Sequence, residues 1–253
     1  MYTKHSEPMP RRARVRIANV PLHVVQRGNN KLPCFFSDGD RTYFLKQLAE
    51  LSERFECAVH AYVLMTNHVH LLVTPNRHDG VSLLMKHLGQ RYVQRVNRMH
   101  ARTGSLWEGR YRSGFVDNGN YLFSCYRYIE LNPVRAGIVN HPREYPWSSY
   151  RANAEGARSS VVRLHAEFMA LGNTEHERQA AYRDLFGIEL RPAQIDELRD
   201  LTNKGFAIGG AGFRQCIEAA TGRRVSPAPR GPRPGHRLEG PPDQAGGYLE
   251  DNS

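Results

Sequence analysis

Tyr62-Val-Leu-Met-Thr-Asn-His-Val-His-Leu-Leu-Val-Thr74 is an apolar run interrupted by Thr66-Asn67. The interruption predicts two strands, Ala58–Met65 and His68–Thr74, joined by a tight turn. In an extended chain, side chains at i and i+2 share a face. His68 and His70 therefore point one way, and Val69 and Leu71 pack on the other. Two imidazoles at this spacing suit a single divalent cation. An isolated His-x-His is more often a pair of half-buried strand histidines with ordinary hydrogen bonds, so the surroundings have to decide.

Toward the N-terminus, Val20 to Gly28 reads as a strand with Leu22, Val24 and Val25 apolar, and Gly28-Asn-Asn-Lys31 is a turn. Ser37 or Asp38 caps a helix running to about Phe55, because Tyr43, Phe44, Leu48 and Leu51 recur at helical spacing. Toward the C-terminus, Pro75 and Gly80 bound a loop, and a long helix follows from about Val81 to His100. Arg110–Val116 is a candidate strand. A helix from about Asn120 reaches Asn132, where Pro133 is expected to stop it. The order is strand, helix, strand, strand, helix, strand, helix. It predicts an α+β fold, ferredoxin-like, with a mainly antiparallel sheet and flanking helices. Residues 1–150 carry this α+β domain. Residues 151–225 form a small helical C-terminal appendage with three amphipathic stretches between 161 and 222, a candidate DNA-binding region. Residues 226–253 are a basic tail rich in Pro and Gly, too poor in apolar residues to fold alone.

Helical geometry divides the segment after Asn120. Leu122, Tyr126 and Ile129 make an apolar stripe toward a core, and Tyr121, Cys125, Tyr128 and Asn132 make a second stripe. Tyr128 and Asn132 thus lie one turn apart, where an amide oxygen would complete a metal site beside a tyrosine hydroxyl. Taken alone, Tyr128 reads as an interfacial tyrosine with its hydroxyl in water.

On the preceding helix Arg91, Arg95, Arg98 and Arg102 recur at intervals of four, three and four, with no matching acids on that helix. From Lys86 to Arg112 there are seven Lys/Arg against Glu108 alone. Trp107, Tyr111 and Phe115 are interleaved near Arg110 and Arg112. Arginines set among aromatics suit a single-strand groove, with phosphates on the cations and bases on the rings. If the stripe is only a solvated helix face, the groove belongs around Arg110, Arg112 and the C-terminal arginines.

Composition agrees. The 253 residues carry a net charge of +10, with pI about 9.7, which favours a polyanionic partner, nucleic acid before a membrane surface. Mean hydropathy is −0.59 with 40% hydrophobic residues, as for a soluble chain that still buries a core. No stretch has the length of a membrane span, and no apolar segment with a cleavage site follows the basic N-terminus. Cys34, Cys57, Cys125 and Cys216 form no C-x-x-C pair. They read as small buried hydrophobes in a reducing, cytoplasmic setting.

These residues resemble a known family, the REP-associated tyrosine transposases, within the single-tyrosine HUH transposases that act on single-stranded DNA. The matching stretches are Pro10-Arg-Arg-Ala-Arg14, Val24-Val-Gln-Arg-Gly-Asn-Asn30, Thr66-Asn-His-Val-His-Leu-Leu-Val-Thr-Pro75, Leu106-Trp-Glu-Gly-Arg-Tyr-Arg-Ser113, Tyr126-Arg-Tyr-Ile-Glu-Leu-Asn-Pro-Val-Arg-Ala-Gly137 and Trp147-Ser-Ser-Tyr150. The match is dense over the first 150 residues and weak through 205–225. The resemblance implies metal ligation by His68, His70 and Asn132, with Mg²⁺ or Mn²⁺ as the cofactor. It also implies Tyr128 as nucleophile, a 5′-phosphotyrosine intermediate, and single-stranded or hairpin DNA as partner. The protein is expected as a monomer or homodimer. In the tail, Arg230-Gly-Pro-Arg-Pro-Gly235 only loosely matches the basic ending of such proteins. His60, on the neighbouring strand, is the candidate general base. Two other readings stand beside this one: a zinc-type hydrolase using the histidine pair, and a non-catalytic nucleic-acid-binding module on a ferredoxin-like sheet. A third, a domesticated enzyme processing genomic hairpins, differs from a mobile transposase only in flanking DNA.

Overall fold

The computed structural model describes residues 15–227. The Pro10–Arg14 motif and the tail arginines Arg230, Arg233 and Arg237 lie outside the described residues. The chain runs β1 (Leu22–Arg27), α1 (Asp38–Arg54), β2 (Cys57–Met65), β3 (His68–Pro75), α2 (Gly80–Met99), β4 (Arg112–Phe115), α3 (Asn120–Glu130), α4 (Asn132–Arg135), α5 (Tyr150–Glu155), α6 (Ala166–Met169), α7 (Glu175–Phe186), α8 (Pro192–Lys204) and α9 (Ala211–Thr221). The four strands stand in the order β2-β3-β1-β4, and every neighbouring pair is antiparallel. This is the α+β arrangement expected from the sequence. Ser37 caps α1 as expected, its hydroxyl accepting from the Asp40 N–H while the Asp40 carboxylate accepts from the Ser37 N–H.

Alternation along the strands divides the sheet into two faces. Val24, Val69, Leu71, Val73 and Leu64 lie on the first, packed with Phe44, Leu48, Leu51, Leu84, Leu88 and Tyr92 of α1 and α2. Ala61, Val63, Met65 and Leu72 lie on the second, packed with Leu122, Tyr126 and Ile129 of α3. The change of parity along β2, from Val59 to Tyr62 on the first face, comes from a bulge between Val59 and Ala61. A bulge inserts one residue and so resets which face the following side chains take.

The C-terminal region is helical and forms a further layer over α3. Tyr150, Ala154, Phe168, Tyr182, Leu198 and Leu201 belong to the same buried cluster as Tyr126 and Ile129. Four helices occur between 161 and 222 where the sequence marks three stretches, the extra one being the single turn α6. Glu130 ties the layers together. Its fully buried carboxylate accepts from Asn153 Nδ2 at 2.8 Å and Tyr182 Oη at 2.7 Å, and also from the Ser149 hydroxyl. Burial nevertheless holds its pKa up at about 7. Because both stripes of α3 face protein, Cys125 and Tyr128 are as buried as the apolar stripe.

Both outer strands of the sheet are bordered by later parts of the chain. Along β2, the Leu64 N–H donates to Trp147 O, the Tyr62 carbonyl accepts from the Ser149 N–H, and the Val59 carbonyl accepts from the Arg163 N–H. Along β4, the Phe115 carbonyl accepts from the Ile208 N–H. The contact is tight at Gly114, where an added Cβ would sit 2.5 Å from Phe206 O and 3.4 Å from Thr202 Cα.

Two expectations are corrected. Pro133 does not end the helical path but sits in the first turn of α4. Proline has no N–H to give, and a first turn needs none from it. The Arg135 and Ala136 N–H groups carry the path on, donating to Leu131 O and Asn132 O. Cys216 is exposed, whereas the other three cysteines are buried; all four are free thiols. Among the described residues no helix is long and apolar enough to cross a membrane.

Candidate active site

Strand alternation presents His68 and His70 on the face of β3 that looks toward α3. On β1, Arg27 stands opposite His68 and Val25 opposite His70, and His23, two residues before Val25, shares their face. Tyr128 reaches the same place from α3 and Asn132 from α4. α8 contributes Arg199, Thr202 and Asn203. Together with Arg135 they line a cavity of about 230 Å³. The structure thus brings His68, His70, Asn132 and Tyr128 into one pocket.

The rings are closely set. The centroids of His68 and His70 are 5.0 Å apart, and those of His23 and His70 also 5.0 Å, the latter pair nearly parallel at 14°. Tyr128 stands edge-on to both His23 and His70 at 5.6 Å. His68 Nδ1 donates to Asn67 Oδ1 at 2.6 Å, since a carbonyl oxygen can only accept. His70 Nδ1 lies 2.8 Å from His23 Nε2, and His23 Nδ1 lies 2.7 Å from Thr202 Oγ1. Burial depresses all three imidazoles. His23 is lowered to about 3 and His68 to about 4, with Arg135 and Arg27 respectively adding to the effect. His70 falls well below its usual value, chiefly by burial, with His23, His68, Arg135 and Arg27 contributing. Near neutral pH they are uncharged, the form that ligates metals. The Arg135 guanidinium lies 4.4 Å from the centre of the Tyr128 ring and donates to the Tyr128 carbonyl at 2.7 Å. Burial lowers the pKa of that guanidinium from its ordinary value.

The donors fit a divalent cation. His68 and His70 each have Nδ1 engaged by a neighbouring side chain, which orients the ring and leaves Nε2 for a ligand. Asn132 interacts with His68, and its buried amide nitrogen has no hydrogen-bond partner. None of the residues lining the pocket is acidic. The protein's ligand set is therefore neutral, and the anionic oxygens preferred by Mg²⁺ and tolerated by Mn²⁺ would come from a substrate phosphate. Among the described residues no three His, Cys, Asp or Glu side chains converge to hold a metal. The three strong ligands and water-activating carboxylate of a zinc hydrolase are accordingly not assembled, and Glu130 is held in its own buried network.

His60 is corrected as a general base. It lies on the site's face of the sheet but beside Thr74, four residues beyond His70, which is roughly 13 Å along a strand. Its ring nitrogens are engaged by Arg163 O at 2.6 Å and Thr74 Oγ1 at 2.8 Å. Sequence reasoning missed His23, Arg27, Arg135, Arg199 and Thr202. His23 and Arg27 shared parity with Val25 on a strand already identified, and Arg135 lay in a quoted motif. Nothing in the local sequence ties α8 to the site.

The arginines divide between two places. Arg91, Arg95 and Arg98 lie on α2, across the sheet from the histidines, and Arg102, expected on the same helix, follows just beyond its end. Arg91 pairs with Glu50 of α1 at 2.6 Å and donates to Gln47 at 2.7 Å; the matching acid was on another helix. Arg95 and Arg102 lie over the rings of Tyr43 and Phe36, at 4.5 and 5.0 Å. Arg110 and Arg112 instead line a groove of about 640 Å³ along β4, with Lys204 and Arg224 on its other wall. A smaller hollow lined by Val25, Arg27, Glu108, Arg110, Arg112 and Asn203 joins that groove to the histidine pocket, Glu108 being the one acid in the lining of both hollow and groove. Of the interleaved aromatics, Phe115 is a core residue, and half-buried Trp107 has one face stacked on Tyr92 at 5.8 Å.

Residues 16–132 match the family model described as "Transposase IS200 like". A protein of Haemophilus influenzae (strain ATCC 51907 / DSM 11121 / KW20 / Rd), named as a REP-associated tyrosine transposase, is 21% identical over 122 residues, 44% of this chain and 69% of that one. A solved structure of a REP-associated tyrosine transposase bound to a REP hairpin superposes with a TM-score of 0.50 at 16% identity. It covers 62% of this chain and 93% of that one, a likeness of fold.

Proposed function

We propose that the chain, whose residues 16–132 match the model of the IS200-like transposases, nicks and rejoins single-stranded DNA at hairpins through a covalent tyrosine intermediate, with Mg²⁺ or Mn²⁺. One observation carries this reading: Tyr128, His68, His70 and Asn132 share a pocket that opens into a basic groove. Tyr128 Oη attacks the scissile phosphorus. A phosphorus–oxygen bond to tyrosine forms, the bond to the 3′-oxygen breaks, and the phenolic proton is transferred in net to that oxygen. The products are a 5′-phosphotyrosine and a free 3′-OH. No water is consumed, so the phosphodiester energy is kept for rejoining. His68, His70 and Asn132 would hold the cation, which when bound polarises a phosphate oxygen and aligns the scissile bond. Arg135, stacked on the Tyr128 ring, stabilises negative charge developing on the phenol oxygen or the phosphate. Arg27, Arg110, Arg112 and Lys204 track the strand as it leaves the pocket.

The test uses a labelled hairpin oligonucleotide with Mg²⁺ or Mn²⁺ on a denaturing gel. The expected result is label at protein mobility, abolished by a chelator. Cleavage that releases both ends without an adduct would support a hydrolase, and binding without cleavage a non-catalytic module.

A further inference from the structure

Thr202 belongs to α8, 70 residues beyond the end of the family match at residue 132, yet it is hydrogen-bonded into the histidine pocket. Its Oγ1 is 2.7 Å from the Leu198 carbonyl and 2.7 Å from His23 Nδ1. A carbonyl oxygen carries no proton, so the hydroxyl hydrogen must point at Leu198. Toward His23 the oxygen then offers only a lone pair, and His23 Nδ1 must be the donor. A neutral imidazole has one N–H, and His23 is fully buried in a pocket with no acidic lining residue and three arginines in its lining. Its Nε2 is therefore an acceptor, and the proton shared at 2.8 Å belongs to His70 Nδ1. Every hydrogen in the series is fixed by a group that has no alternative. The other nitrogen of His70, Nε2, keeps its lone pair.

We infer that Thr202 and His23 are positioning residues which lock His70 in the tautomer that bares Nε2, so that the C-terminal helical layer completes the metal site by hydrogen bonding without contributing a ligand. The inference rests on the metal reading given above. It also separates the two histidines: His68 is oriented locally by Asn67, whereas His70 depends on a helix that arrives 132 residues later in the chain.

The experiment uses the full chain and two readouts. Long-range ¹H–¹⁵N spectra of the imidazoles report the tautomers of the metal-free protein, and Co²⁺ absorption titration reports affinity at a histidine site. The expected wild-type result is Nδ1 protonation of both His23 and His70. Thr202→Val, which removes the hydroxyl and keeps the shape, should leave His23 and His70 as tautomer mixtures and weaken Co²⁺ binding about 10- to 100-fold, the usual scale for losing an outer partner of a ligand. Thr202→Ser should restore both. His70 protonated on Nε2 in the wild type would overturn the inference, as would Thr202→Val with unchanged tautomers and affinity. If Thr202→Val does not fold, the wild-type spectrum still decides. Wild-type protein that shows the assigned tautomers but binds no Co²⁺ would sink the metal reading while leaving the hydrogen-bond series in place.

Discussion

Tyr126 and Tyr128 are two residues apart on α3, and the 3.6-residue repeat turns them to different neighbours. Tyr126 packs against Phe168 and Tyr182, and Tyr128 stands among His23, His70 and Arg135. Tyr128→Phe should therefore abolish the DNA adduct, with a rate loss of several orders of magnitude as for removal of a nucleophile, and leave DNA affinity intact. Tyr126→Phe should retain the adduct. Adduct assays on the two variants check this, and the reverse pattern would exchange the assignments. At His60 the consequence is one of stability. Burial holds its pKa at about 4, below the unfolded value near 6.5, so the unfolded chain takes up the proton first. The contribution is fully present above pH 6.5 and is lost as pH falls toward 4, amounting to roughly 3 kcal/mol over the window. Denaturant melts between pH 7 and pH 4 should show a shallower loss in His60→Gln than in wild type; parallel curves would deny it.

At the scale of elements, the hairpin and the two long amphipathic helices were legible because their periods are local. All seven leading elements have ends within two residues of those read from the sequence, the predicted strand at 110–116 shortening to β4 at both ends. The histidine pair and the Tyr128–Asn132 spacing were legible for the same reason. What was illegible lies across elements. An arginine stripe can be recognised along α2, but its counter-ion Glu50 comes from α1, and only the tertiary fold places that stripe on the far side of the sheet. His60 carried the right residue type and the right face; its distance from the site is set by register, which a single strand does not reveal. The two sets of arginines now make different predictions. Arg110→Gln with Arg112→Gln should weaken single-strand binding and flatten its log–log salt slope by about one to two units, at roughly 0.7 per phosphate lost. Arg95→Gln with Arg98→Gln should leave the slope unchanged. Fluorescence anisotropy over a salt series checks both, and a flattened slope in the second pair would return the DNA to α2.

For the molecule as a whole, the family match ends at residue 132 but the hydrophobic core does not. Val116, Leu122, Tyr126 and Ile129 are covered by Phe168, Tyr182, Leu198 and Leu201. A chain ended at residue 150 should expose that apolar surface, and soluble monomers rarely tolerate contiguous apolar patches above a few hundred Å². It should be recovered as aggregate or as a non-cooperative melt. A soluble product with a cooperative transition near that of the full chain would make the C-terminal layer dispensable.

The hydrogen bonds along the rims of the sheet bear on how copies of this chain can assemble. An open rim strand is a template onto which another polypeptide can add. Here β2 is occupied by the backbone at Trp147, Ser149 and Arg163, and the end of β4, at Phe115, by Ile208. A second copy that extended the sheet at those positions would first have to displace the chain's own cover. Pairing of two copies is thereby turned toward side-chain surfaces, and the route by which many sheets run on into fibres is obstructed from within a single polypeptide.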